Sequence, residues 1–232
     1  MSATTREDRH FTMTIRHRLH ATVLSAALAL GCVALPDTVS AAPVATLAPS
    51  IAATGTDALA GFANSALIQL ATYSMTGSAK ALAAFDDTRD GVAAEAAKRL
   101  GLDRVAMQAA WSEADPEHQA ALMAAFAQLG TPYRGYTAIP GVGFDCSGLT
   151  SWAWSQAGVS LARQSRSQIN NTRVVTRDTA QAGDLVYYPG HVMMYLGIDN
   201  AIIHSPNSGR NVELSFVAKR RTNSARFGDP TS

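Results

Sequence analysis

The pattern of the chain changes at Gly130. Before it run alanine-dominated stretches whose apolar residues recur at helical spacing; after it come glycines, prolines and short runs of β-forming residues. A chain that reads helical first and stranded later is expected to fold as a helical layer followed by an antiparallel meander, the α+β class. At 232 residues, 47% hydrophobic and 16% charged, it carries enough apolar side chain for one or two modest cores. The near balance of 19 basic and 18 acidic residues gives no electrostatic reason to expect nucleic acid as a partner.

In the helical half, "TDALAGFANSALIQLATYSM" places Leu59, Phe62, Ala66, Leu67 and Leu70 on one face, with Thr56 as candidate N-cap. "SAKALAAFDDTRDGVAAEAAKRLG" reads as one broken helix or two short ones ending at Gly101, and "DRVAMQAAWSEA" as a third. "DPEHQAALMAAFAQLG" has start and stop signals: Asp115 to cap, Pro116 in the first turn, Gly130 to terminate. We place a domain boundary near residue 114, with residues 56–113 as an α-helical N-terminal region and residues 114–232 as a second domain. Met75, Met107 and Met123 are expected in the core, with Trp111 as a staple between the two parts.

Residues 42–55, rich in Ala, Pro and Thr, read as a flexible leader. Ahead of them, Arg16 and Arg18 precede an apolar run from Ala21 to Leu35, and the small residues of Val39 to Ala41 suit a signal peptidase. Residues 1–41 are therefore expected to be a signal peptide, read from Met1 or Met13, and the mature protein to work in the cell envelope or outside the cell. A run of about fifteen residues is shorter than the roughly 20 that span a bilayer, so no stable membrane span is expected. Ala29, Leu30 and Gly31 make a poor lipidation box before Cys32.

Removal of the signal leaves Cys146 as the single thiol of the mature chain, without a disulfide partner. "GFDCSGLTSWAWSQAG" puts it at the start of a helix closed by Gly158, with Leu149, Trp152, Ala153 and Gln156 at helical spacing. The unbonded N–H groups there favour a thiolate, so a lowered pKa is expected, and the Cys146 N–H is aimed at an oxyanion formed on an attacked carbonyl. A buried structural cysteine is the other reading; the polar or small neighbours Asp145, Ser147 and Gly148 argue against it.

A thiol nucleophile needs a base that also protonates a leaving amine. His191, first in "HVMMYLG" after the Pro189-Gly190 turn, is the candidate. His204 ends the strand "AIIHS" and is the candidate to accept the second ring N–H of His191. If Asp199 and Asn200 form a two-residue turn, His204 falls opposite Tyr195, roughly 13 Å along the strand from His191. A bulge, strong twist or longer loop then has to close the gap. "GDLVYYP" and "VELSFV" complete a set of four strand candidates, while His118 lies on a helix expected to be exposed and is given no role. No metal is expected, because one cysteine and two histidines so spaced match no zinc pattern.

Four motifs, "GTPYRGYTAIPGVGFDCSGL" from Gly130, "LARQSRSQ" from Leu161, "AGDLVYYPGHVMMYLG" from Ala182 and "IIHS" from Ile202, together resemble the NlpC-type peptidases. These are papain-like bacterial enzymes that cut peptidoglycan stem peptides. The resemblance covers about residues 114–218 and implies helices packed on an antiparallel sheet. It implies Cys146 as nucleophile, His191 as base and His204 as the third polar residue. Tyr133 is then expected beside the nucleophile, helping to hold the carbonyl oxygen, with Asp145 and Ser147 lining the substrate groove. Arg163 and Gln168 match a stretch that reads equally as scaffolding. Arg134-Gly135-Tyr136 and Met193-Met194 depart from the family pattern, and Met193 gives a bulkier floor on the face of His191.

The activity so implied is that of a secreted cysteine endopeptidase cutting the bond between D-glutamate and a diamino acid, with no metal or organic cofactor. An amidase or acyltransferase on the same scaffold is one alternative; a catalytically silent wall-binding or regulatory protein is another. Residues 56–113 are candidates to meet a regulatory partner or to cover the groove, and Lys219, Arg220 and Arg221 read as a solvated tail.

Overall fold

The computed structural model describes residues 53–231. The expected signal peptide at residues 1–41, Cys32 within it, and residues 42–52 of the leader lie outside the described residues. Four helices come first: α1 (Ala58–Thr76), α2 (Ala79–Leu100), α3 (Arg104–Ser112) and α4 (Pro116–Phe126). Asp57, not Thr56, caps α1 by accepting from Leu59 N–H, and Thr56 donates to the Gly130 carbonyl instead. α2 runs unbroken through Gly91. A mid-helix glycine destabilises by about 1 kcal/mol, which the burial of Phe85, Val92 and Ala96 on one face outweighs.

α4 departs from its expected surface position. Every residue from Ala120 to Phe126 is buried, so beyond its exposed first turn the helix is apolar all round and lies inside the core, against α1 and α5 (Cys146–Gln156). It ends at Phe126, before Gly130, whose φ of +85° instead brings the chain against Thr56 and Asp57. Asp115 makes no side-chain cap bond; its carboxylate accepts from Gln181. Of the three methionines, Met107 and Met123 are fully buried, whereas Met75 is exposed near the end of α1.

The short hairpin β1 (Ala138–Ile139) and β2 (Gly143–Phe144) leads into α5, and α6 (Ser165–Asn170) follows. A six-stranded antiparallel sheet then forms from β3 (Arg173–Val175), β4 (Leu185–Tyr188), β5 (His191–Tyr195), β6 (Ala201–His204), β7 (Glu213–Phe216) and β8 (Arg226–Asp229). Its order is β3-β8-β4-β5-β6-β7. The meander β4 to β7 is the expected one; β3 and β8 extend it at the β4 edge. The stretch expected to be a solvated tail forms a 3-10 helix, Lys219–Ser224, that returns the chain for β8.

One continuous core joins Leu59, Phe85 and Trp111 of the early helices to Leu149, Trp154 and Ile203 of the later elements. The expected boundary near residue 114 falls in the turn between α3 and α4, within that core. Trp111 fastens it, its ring N–H donating to the Leu196 carbonyl at 2.9 Å. Val186, Met193, Tyr195, Ile202 and Phe227 form a smaller cluster on the other face of the sheet. Among the described residues, no helix is long and apolar enough to cross a membrane.

Candidate active site

Cys146 opens α5, and its surroundings are fixed by bonds to the residues beside it. Asp145 caps the helix, its Oδ1 accepting from Gly148 N–H at 2.7 Å. Gly148 has to be glycine here because a Cβ would lie 2.2 Å from the Thr137 carbonyl oxygen. Arg163 clamps both oxygens of Asp145, at 2.9 and 2.6 Å, and donates to Ser147 Oγ at 3.0 Å. Gln168, fully buried on α6, donates to the Ser147 carbonyl at 2.9 Å and accepts from Thr150 at 2.7 Å. Asp145 and Ser147 are themselves buried, and these bonds engage their polar atoms within the protein. Arg163 and Gln168 thus brace the first turn of α5.

The Cys146 thiol is free and partly buried. Burial pushes it up from the usual thiol range, and the carboxylate of Asp145 adds to this; the N–H groups of Val192, Ser147 and Cys146 itself pull the other way without reversing it. This corrects the expectation of a lowered pKa: the positive end of the helix is present, but loss of water outweighs it. The Val192 N–H on the sulfur places the thiol against β5, at the residue next to His191. Tyr133 lies close enough to feel the charge of the thiol. Burial raises its hydroxyl pKa, and negative charge at Cys146 and Asp145 raises it further. Its backbone N–H donates to the Arg210 carbonyl at 2.8 Å.

His191 follows the Pro189-Gly190 turn, with Tyr188 and His191 paired across it. Its Nε2 lies 2.8 Å from Nδ1 of His204. The longer loop resolves the spacing problem. β5 and β6 pair Tyr195 with Ile202 and Met194 with Ile203, two residues out from the register of a two-residue turn. That register carries His204 opposite Met193, on the face of His191 and one diagonal step away. Burial pushes His191 down to about 4 and, with His191 and Arg210 nearby, His204 down to about 3. Both rings are therefore neutral at neutral pH. They border a cavity of about 470 Å³ whose wall includes Met193, Arg210, Phe216 and Arg220.

His118 is the largest departure from the sequence expectation. It is fully buried, edge-on to Trp154, with Nε2 at 2.9 Å from Asp184 Oδ1 and 3.4 Å from Asp229 Oδ1. Among the described residues these three bring their donor atoms closest to a cation-binding arrangement, within 4.8 Å of one another. Their mutual bonds tie α4 to the sheet. Sequence reasoning also passed over Glu213 and Arg210, which meet His204 from the neighbouring strand and its preceding loop. Their one signal was a charge pair three residues apart, Arg210 just before "VELSFV" and Glu213 within it.

Comparison with known proteins adds to this geometry. Residues 130–227 match the model of the NlpC/P60 family. A protein of Corynebacterium glutamicum named "Probable endopeptidase" is 41% identical over 119 residues, which cover 50% of this chain and 56% of that one. A "Gamma-D-glutamyl-L-lysine dipeptidyl-peptidase" of Bacillus cereus is 37% identical over 94 residues, covering 37% of this chain and 28% of that one. The chain thus spans about half the length of the first relative and less of the second. A crystal structure of an NlpC/P60 family protein from Bacillus cereus superimposes with a TM-score of 0.47 at 28% identity, over 51% of this chain and 42% of that one.

Proposed function

Residues 130–227 belong to the NlpC/P60 family, and from that premise we propose that the chain is a secreted cysteine endopeptidase of peptidoglycan stem peptides, cutting between D-glutamate and the following diamino acid. One observation carries the reading: the thiol that opens α5 receives the N–H of Val192, while the adjacent residue, His191, is held by His204 at 2.8 Å. The candidate nucleophile thus lies against the strand residue that follows the candidate base, and that base is oriented by a second imidazole, an arrangement that supports the reading. The name of the Bacillus cereus relative supports the choice of bond.

In this reading Cys146 Sγ attacks the carbonyl of the scissile amide as its proton passes to His191. Burial disfavours an isolated charge on either group, so proton transfer accompanies attack. The oxyanion is met by the Cys146 N–H and the Tyr133 hydroxyl. The C–N bond breaks as His191 returns the proton to the departing amine, leaving a thioester. Water then attacks the thioester, giving its proton through His191 to the sulfur and freeing the carboxylate. Mass analysis of a defined stem peptide incubated with the purified chain tests the proposal. Two fragments, one with a new D-glutamyl carboxylate and one with a new diamino acid amine, are expected; a joined peptide would indicate acyl transfer, and an intact substrate would overturn the reading.

A further inference from the structure

Two imidazoles bonded through ring nitrogens raise a question of polarity. One proton lies between His191 Nε2 and His204 Nδ1, and either ring can own it. Both rings are neutral, so each carries one proton and the choice at one fixes the choice at the other. If His204 donates, His191 accepts at Nε2, its own proton sits on Nδ1, and that atom is closed to a second one. If His191 donates, its Nδ1 is bare and can take a proton from a thiol.

Glu213 stands where the choice can be made. It pairs directly with His204 across β6 and β7, and its Oε1 lies 3.5 Å from His204 Nε2. That nitrogen is buried and has no hydrogen-bond partner among the described residues. A carboxylate only accepts, so it attracts an N–H at Nε2 and repels a bare lone pair there. Arg210 binds both oxygens of the same carboxylate, Nε to Oε2 at 3.1 Å with Nη2 on Oε1. We infer that Glu213 is a positioning residue that holds His204 in the Nε2–H tautomer, so that His191 donates from Nε2 and keeps Nδ1 free as the base. The tautomer rests on these contacts together with the neutrality of both rings; its kinetic consequence rests on the proposed peptidase reading.

Nitrogen-resolved NMR of the histidine-labelled full chain, near neutral pH, tests it. The expected spectrum has the proton of His204 on Nε2 and that of His191 on Nε2. In Glu213→Leu the His204 resonances should move toward a tautomer mixture. Its kcat on a stem peptide should fall by about tenfold or more with KM little changed, a loss within the range of a mispositioned general base. Glu213→Gln, whose amide oxygen accepts the same N–H, should recover the larger part of both effects. A wild-type spectrum with the His204 proton on Nδ1 would overturn the inference, as would a Leu variant that keeps both tautomer and turnover. Should the Leu variant not fold, the wild-type spectrum decides alone. A wild-type chain with the expected spectrum but no cleavage would sink the peptidase reading and leave this one standing.

Discussion

Nε2 of His191 and Nδ1 of His204 lie 2.8 Å apart although the two residues sit on different strands and one diagonal step out of register. The contact is the only hydrogen bond to the His191 ring among the described residues. Replacing His204 by Ala should therefore leave the imidazole free to turn and to change tautomer. We expect kcat to fall by about a hundredfold with KM little changed. His204→Asn, which keeps an acceptor, should lose less, and steady-state kinetics on a stem peptide checks both.

The resting thiol should be protonated. Burial raises Cys146 above its ordinary value of 9.0, so alkylation by iodoacetamide near pH 7 should be slower than that of a free thiol and climb beyond the usual thiol range. A rate already at its plateau near pH 6 would mean a standing thiolate–imidazolium pair and contradict the neutral one.

Acid should destabilise the fold through these rings. The unfolded chain binds protons at His191 and His204 near the ordinary 6.5, the folded chain only near about 4 and about 3. Below about 6.5 the unfolded state holds more protons, so stability falls with pH and continues to fall through the folded values. For His191 the full loss is on the order of 3 kcal/mol. Urea midpoints at neutral pH and near pH 4.5 should differ accordingly, with a shallower decline in His191→Gln. Equal midpoints would count against the burial of neutral rings.

His118 and Asp184 should behave as one unit in stability. Asp184 is buried, and burial raises its pKa against the pull of His118. His118→Leu takes the imidazole from that buried carboxylate, leaving it the Gln181 N–H, and should destabilise by about 3 kcal/mol. The double replacement with Asp184→Leu should destabilise by less than the sum of the two single changes. Additive losses in urea denaturation would show that the pair is not coupled.

The sequence made some of this legible and hid the rest for physical reasons. Cys146, Asp145 and the Pro189-Gly190 turn before His191 are local features, readable because helix capping and tight turns act over a few residues. The partnership of His191 with His204 depended on the length of the loop between β5 and β6, which shifts the register by two. Glu213 becomes visible only once β7 lies beside β6. β3 and β8 are short and find each other across more than fifty residues, as Arg173 with Asp229. The burial of His118 did leave a trace: "AALMAAF" is apolar on every side of a helix, the mark of an element with no solvent face. The expected direction of the thiol pKa was reversed because the helix end is readable in sequence, whereas the burial of the thiol and the charge of Asp145 beside it act only in the folded chain.

In the proposed reaction the Cys146 sulfur does the cutting. Purified peptidoglycan digested with the wild-type chain and with Cys146→Ala, followed by separation of the released muropeptides, addresses it directly. Fragments with newly exposed diamino acid amines are expected from the wild type and none above background from the alanine variant; equal release from both would rule out the thiol as nucleophile.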